Sequence, residues 1–439
     1  MTPTTASGAG SVIADYTIPG IHVVDRSISV PLDWSAPDSE QITVFVRELC
    51  NPAKRTEDLP LLVYLQGGPG GKGPRPTDTS GWLGVALERY RVVLLDQRGT
   101  GRSTAIDGVG LQRRGDAAAQ ADYLAHFRAD SIIADAEAVR KIIYGGRRWS
   151  TLGQSFGGFL TLTYLSTAPE ALAACYVCGG IPGVPPLAAE VYRRTFPRVI
   201  NRSRAFYRRY PQDVEAVAEI ADRLAVGDVR LPDGDRLSVR RFQSLGIDLG
   251  MRPGAERLHW LVNEAFVEPG RLGEDFRQQV QLRSSQRGGP LFWTLQESIY
   301  GQADNGPTGW AAEAELARHP ECAAEARPLL FTGEMTFRWM FTEIAALRPF
   351  AEAVDLLARR SDWSQLYDVD RLASNEVPVA AAVYFDDMFV DSGLQLQTLA
   401  GIGNSQAWVS NEWEHDGIGD PRVLRGLLQR VDQQGGERR

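Results

Sequence analysis

Residues 21–49 alternate apolar and polar positions, as IHVVDRSISVPLDW and then QITVFVREL, with SAPDSE between them. A period of two puts one side of each segment into a core, so the pair is expected to form antiparallel strands joined by a turn. Beyond residue 60 the alternation stops. LLVYL (61–65), RVVLLD (91–96), WSTLG (149–153) and CYVCGG (175–180) are short, continuous apolar runs separated by stretches of helical spacing. Strands that are apolar on both sides must be covered on both faces, which is the condition of a parallel sheet flanked by helices. The intervening segment DSIIADAEAVRKIIYG (130–145) has helical spacing, with Asp130 or Ser131 as the expected N-cap.

This rhythm ends near Pro185. Residues 186–345 are richer in arginine and aromatics and have helix-like periodicity, with LLFTG (329–333) as the main strand candidate. Strand patterns return at PVAAAVYF (378–385) and QAWVS (406–410), followed by a last helix with Asp420 as cap and Pro421 at its first position. The expected organisation is a sheet domain interrupted by a mostly helical insert. Its parts are residues 1–185, with an N-terminal tail to about residue 20, then the insert 186–345, then residues 346–439 completing the sheet domain. No repeats or low-complexity tracts break this pattern.

Bulk properties narrow the function classes. A chain of 439 residues fits a large α/β domain with a second, inserted one. Its formal charge of -8 argues against a nucleic-acid partner. No apolar run reaches the roughly 18 residues of a membrane span. The start, MTPTTASGAGSVIADY, lacks a basic region followed by an apolar block, and is expected to be a partly disordered tail of a cytoplasmic protein. Cys175 and Cys178 form a CxxC inside an apolar, strand-like run, with no second CxxC and no neighbouring histidine. Buried structural thiols are therefore expected there rather than a redox or metal pair, and no metal is called for.

The chemistry concentrates in Gly153-Gln154-Ser155-Phe156-Gly157, a GxSxG pattern with a strand run before it and the helix-like FLTLTYLSTAPEAL after it. That context is the nucleophile elbow, a sharp strand-to-helix turn that holds a serine hydroxyl up while the glycines leave room for crowded backbone. A serine needs a base. In this arrangement the acid and then the histidine follow the serine in the chain. Of the five histidines, His259, His319 and His415 follow Ser155, and the first two fall in the insert. His415, in NEWEHDGIG after the last strand run, is expected to be the general base. The acid should follow the strand before it, where YFDDMFVD offers Asp386, Asp387 and Asp391. A position just past the strand favours Asp386 or Asp387, with Asp387 preferred. LLVYLQGGPGG places glycines directly after a strand, suited to an oxyanion loop although Gln66 stands where histidine is usual. Gly68 and Phe156 are the expected N–H donors. DQRGTGRST (96–104) is expected to brace the elbow from behind.

QGGPGG, DQRGTGRS, GQSFGG and EHDG, in this order and spacing, resemble the prolyl aminopeptidases (proline iminopeptidases) of the α/β-hydrolase superfamily, in the longer bacterial form. The resemblance runs from about residue 28 to 430. It implies an α/β-hydrolase fold with a large helical cap, a Ser155–Asp387–His415 triad, no cofactor, and removal of an N-terminal residue, typically proline. The partners it implies are short peptides with a free N-terminus. An aminopeptidase must bury a charged amine, and opposite charge has to meet it. Cap glutamates fill this role in shorter relatives. Here Glu264, Glu297 and Glu334 are candidates, and Glu297 and Glu334 are preferred for their aromatic surroundings. Two rival readings are an esterase or amidase with a neutral acyl pocket and a catalytically silent binding protein of the same fold.

Overall fold

The computed structural model describes residues 10–438. Eleven strands form in chain order: β1 (Ser11–Ile18), β2 (Ile21–Pro31), β3 (Gln41–Cys50), β4 (Leu61–Leu65), β5 (Arg91–Asp96), β6 (Trp149–Gln154), β7 (Leu172–Cys178), β8 (Phe266–Glu268), β9 (Arg271–Leu272), β10 (Val379–Tyr384) and β11 (Ser405–Ser410). Nine of them make one sheet in the order β1-β2-β3-β5-β4-β6-β7-β10-β11, and β8 and β9 form a separate hairpin. The pairs β1/β2, β2/β3 and β3/β5 are antiparallel, and every pair from β5 to β11 is parallel.

The continuous apolar runs are explained by the layering. Leu61, Val63 and Leu65 of β4 face one core cluster, while Leu62 and Tyr64 face another. The first cluster joins helices Ala129–Tyr144 and Phe156–Thr167. The second joins helices Gly81–Leu87 and Pro421–Gln433. With alternate residues buried on opposite sides, the central strands carry no polar face.

Between Cys178 and Val379 no residue joins the main sheet. This stretch is chiefly helical and opens with the 22-residue helix Ala188–Arg209. Three expectations change here. Ser11–Ile18 is a strand paired with β2 rather than tail, and only the tail reading for residues 1–9 lies outside the described residues. Its alternation was hidden because it is an edge strand with most of its residues exposed. LLFTG at 329–333 is buried but not a strand. The side chain of Gln243 donates to Leu330 O and its backbone carbonyl accepts from Thr332 N, so an apolar run is satisfied without a ladder. The helix over 130–145 begins one residue earlier, at Ala129, with Arg128 in the cap position. The final helix does begin at Pro421, with Asp420 accepting from Arg422 N.

Candidate active site

The loop after β6 turns at Ser155, whose φ of 55° and ψ of -125° lie outside the regions an ordinary side chain prefers. Close packing enforces that turn. A Cβ on Gly157 would strike the carbonyl of Leu65 at the end of β4, and one on Gly67 would sit 2.7 Å from Gln154 Oε1 and 3.0 Å from Ser155 Cβ. The glycine loop after β4 therefore passes directly over the elbow, as far as side-chain-free backbone allows. Gln97 Nε2 ties this loop down by donating to Gln66 O at 2.8 Å. Phe156 is the first residue of the following helix, so its N–H has no intrahelical acceptor and is free to meet a ligand.

The acid and the histidine come together from the other end of the chain. His415 Nδ1 lies 2.7 Å from Asp387 Oδ2. Asp387 follows β10, and its Oδ1 accepts from Phe389 N at 2.8 Å and Val390 N at 3.1 Å. Asp386 points outward and is exposed. A carboxylate accepts here, so Nδ1 carries a proton, and in the neutral imidazole Nε2 then keeps its lone pair. Asp387 is 2% exposed and His415 6%. Burial alone would lower the His415 pKa, but the carboxylate of Asp387, aided by Glu334 and Asp416, holds it above its ordinary 6.5. The Phe389 ring packs edge-on to the imidazole at 4.9 Å. No hydrogen bond joins Ser155 to His415 in this arrangement, a contact that typically tightens only around substrate.

Ser155, Gly68 and Phe156 share one small pocket with Phe159, Tyr192, Tyr300, Phe389, Gln296 and Glu334. Val191, Ile299 and Val390 complete its apolar side, and Thr195 adds a further polar group. Glu334 accepts from Gln296 Nε2 at 2.8 Å, and burial pushes its pKa up to about 7. Glu297 lies elsewhere. Its two oxygens accept from Ala311 N and Ala312 N, each at 3.0 Å, at the start of helix Ala311–Leu316, and it lines a neighbouring cavity with Trp293 and Trp310. Burial raises this carboxyl to about 7 as well. Glu264 is exposed at the end of helix Gly254–Asn263.

The segments bearing Asp387 and His415 are held by the long helix Ala188–Arg209. Arg198 donates to Asp391, Phe385 O, Asp387 O and Ser392 Oγ. One turn on, Arg202 makes a two-pronged pair with Glu414 and also reaches Asp386 O. His415 N donates to Gly250 O at 3.0 Å. Sequence reasoning passed over these arginines, although their spacing of four on an amphipathic helix puts them on one face. DQRGTGRS acts at one remove from the elbow. Asp96 binds Arg75 and Gly73 N beyond the glycine loop, and Arg98 pairs with Asp135. The two histidines between β7 and β10 are engaged away from Ser155, His259 with Asp213 and the Tyr210 ring and His319 with Glu315 and the Phe196 ring. Cys175 and Cys178 are buried, unbridged thiols on β7. Among the described residues no helix is long and apolar enough to cross a membrane.

A sheet of this order with a serine on a strained strand-to-helix turn defines an α/β-hydrolase, and the family model for the alpha/beta hydrolase fold matches residues 60–273. Among curated proteins, a proline iminopeptidase of Aeromonas sobria is 45% identical over 92% of this chain and 94% of its own length. A proline iminopeptidase of Aspergillus aculeatus is 36% identical over 89% of this chain and 88% of its own. The chain belongs to the proline iminopeptidase family. A solved proline iminopeptidase from Mycobacterium smegmatis is similar over 93% of this chain and 98% of its own, at 15% identity and a TM-score of 0.42.

Proposed function

We propose that the protein is a serine aminopeptidase that releases an N-terminal residue, proline by preference, from short peptides with a free amino terminus. The observation that carries this reading is that Glu334 lines the same small pocket as Ser155, beside the apolar side chains of Phe159, Val191, Ile299 and Phe389. An ionised carboxylate there suits a charged amine one residue's length from the attacked carbonyl, and the apolar walls suit a proline ring. Residues 186–345 would then be a cap that closes the pocket over a core made of residues 1–185 and 346–439. Glu297, taken up by the Ala311 and Ala312 N–H groups, would support the cap wall and add negative potential behind Tyr192 and Tyr300.

In this mechanism Ser155 Oγ attacks the carbonyl of the first residue, and His415 Nε2 takes the hydroxyl proton. Asp387 keeps the imidazole in the required tautomer and stabilises the imidazolium. The N–H groups of Gly68 and Phe156 receive the oxyanion. His415 then gives its proton to the departing peptide nitrogen, and water resolves the acyl-enzyme by the same steps in reverse. These groups account for the whole reaction without a metal or cofactor.

The test is a comparison of prolyl 4-nitroanilide, its N-acetylated form and a simple butyrate ester. Turnover of the free-amine substrate with little on the acetylated one is expected. Equal turnover of both would remove the ammonium site and favour an esterase or amidase.

A further inference from the structure

Gln296 stands beside Glu334 in the Ser155 pocket and has a bond to spare. Its Nε2 donates to Glu334 Oε1 at 2.8 Å. This is the amide orientation that an ionised Glu334 requires, since a carboxylate only accepts. The other end, Oε1, is buried and has no hydrogen-bond partner among the described residues. The residue is 3% exposed and lies in the pocket lining. The hydroxyl of Tyr192, in the same lining and 2% exposed, is likewise buried without a partner. Buried polar atoms are nearly always paired, so two orphans in one pocket call for an explanation. A ligand that brings N–H donors supplies it.

A secondary ammonium such as that of proline carries two N–H groups, and a primary one carries three. Glu334 can neutralise the charge and take one N–H. It leaves at least one donor that must be met inside the buried pocket, where an unmet donor is strongly unfavourable. We infer that Gln296 is a specificity-determining residue, whose carbonyl oxygen accepts a second N–H of the substrate's charged amine beside Glu334. This rests on the aminopeptidase reading above. The same amide thereby does two things: its nitrogen orients the carboxylate, and its oxygen completes the amine's hydrogen bonds. If it served only to orient Glu334, its oxygen would remain buried and unpaired with substrate bound.

The experiment is a double-mutant cycle of Gln296→Leu and Glu334→Ala. It is read with prolyl 4-nitroanilide and with the 4-nitrophenyl ester of cyclopentanecarboxylic acid, which has the ring but no amine. Labelling of the active serine by a fluorophosphonate checks that each variant is folded and its nucleophile competent. Gln296→Leu is expected to lower kcat/KM on the prolyl substrate about 10- to 100-fold, the range for a hydrogen bond to a charged group. The amine-free ester should lose markedly less, so that the prolyl-to-ester ratio of kcat/KM falls at least about fivefold. In the Glu334→Ala background the same change should still lower prolyl turnover at least about fivefold, since the oxygen acts on the amine itself. Equal losses on both substrates would overturn the inference. So would a prolyl loss that disappears once Glu334 is gone, because Gln296 would then act only through the carboxylate. Glu334→Ala alone tests the underlying reading. If its prolyl-to-ester ratio equals that of wild type, the carboxylate does not hold the amine, and the Gln296→Leu ratio in the otherwise wild-type chain then decides the amide's role separately.

Discussion

Replacing Asp387 by asparagine separates the chemistry of the proposed triad from its architecture. Asp387 Oδ1 accepts two backbone N–H groups, from Phe389 at 2.8 Å and Val390 at 3.1 Å. An asparagine carbonyl can keep both. The remaining oxygen, 2.7 Å from His415 Nδ1, becomes an NH2 group. An amide donor there can be met only if Nδ1 gives up its hydrogen, which moves the proton to Nε2, the atom that must receive it from Ser155. Charge stabilisation of the imidazolium is lost as well. The expected fall in kcat is about 10⁴-fold, or about 5.5 kcal/mol of barrier, and the thermal midpoint should shift little. Asp386→Asn, at an exposed side chain, should leave kcat within about twofold. Steady-state kinetics on prolyl 4-nitroanilide with thermal melts of both variants make the measurement. A loss below about tenfold in Asp387→Asn with its fold intact would refute the reasoning, as would a larger loss in Asp386→Asn.

Three further predictions concern the surroundings of the histidine. His415 must be neutral to act as base, and its pKa is held above 6.5, so kcat/KM should fall as pH drops through a value above 6.5. Glu334 is one of the charges holding it up, so Glu334→Gln should move the acid limb on an amine-free ester to lower pH, and an upward move would contradict the assignment. Arg202→Met breaks the pair with Glu414 and the bond to Asp386 O, on either side of the Asp387–His415 contact. It should lower kcat about tenfold with KM nearly unchanged, and Arg202→Lys should recover part of the loss. A change confined to KM would show that Arg202 does not position the triad.

What could be read from the sequence follows the kind of constraint each residue obeys. The central strands were legible because a strand buried on both faces has no freedom to be polar, as LLVYL and RVVLLD show. β1 was not, since an edge strand with exposed sides has no core to pattern it. LLFTG misled for the converse reason: burial alone makes a run apolar, and here a glutamine side chain replaces the ladder. Ser155 was legible because Gly153 and Gly157 are sterically required around it. Asp387 and Asp386 are adjacent and chemically alike, and only the turn after β10 decides which of them faces His415. Glu297 and Glu334 look equivalent in sequence, each among aromatics. What separates them is the start of a short helix whose N–H groups engage Glu297. Gln296 and Tyr192 gave no signal, because an unpaired polar atom exists only in three dimensions.

The most direct measurement is of the covalent intermediate. Rapid mixing of the protein with prolyl 4-nitroanilide, acid quenching within one turnover, and mass spectrometry of the digested chain should find a prolyl ester on the peptide containing Ser155. Reaction under the same conditions with turnover but no acylated serine, or with the acyl group on another residue, would contradict the account.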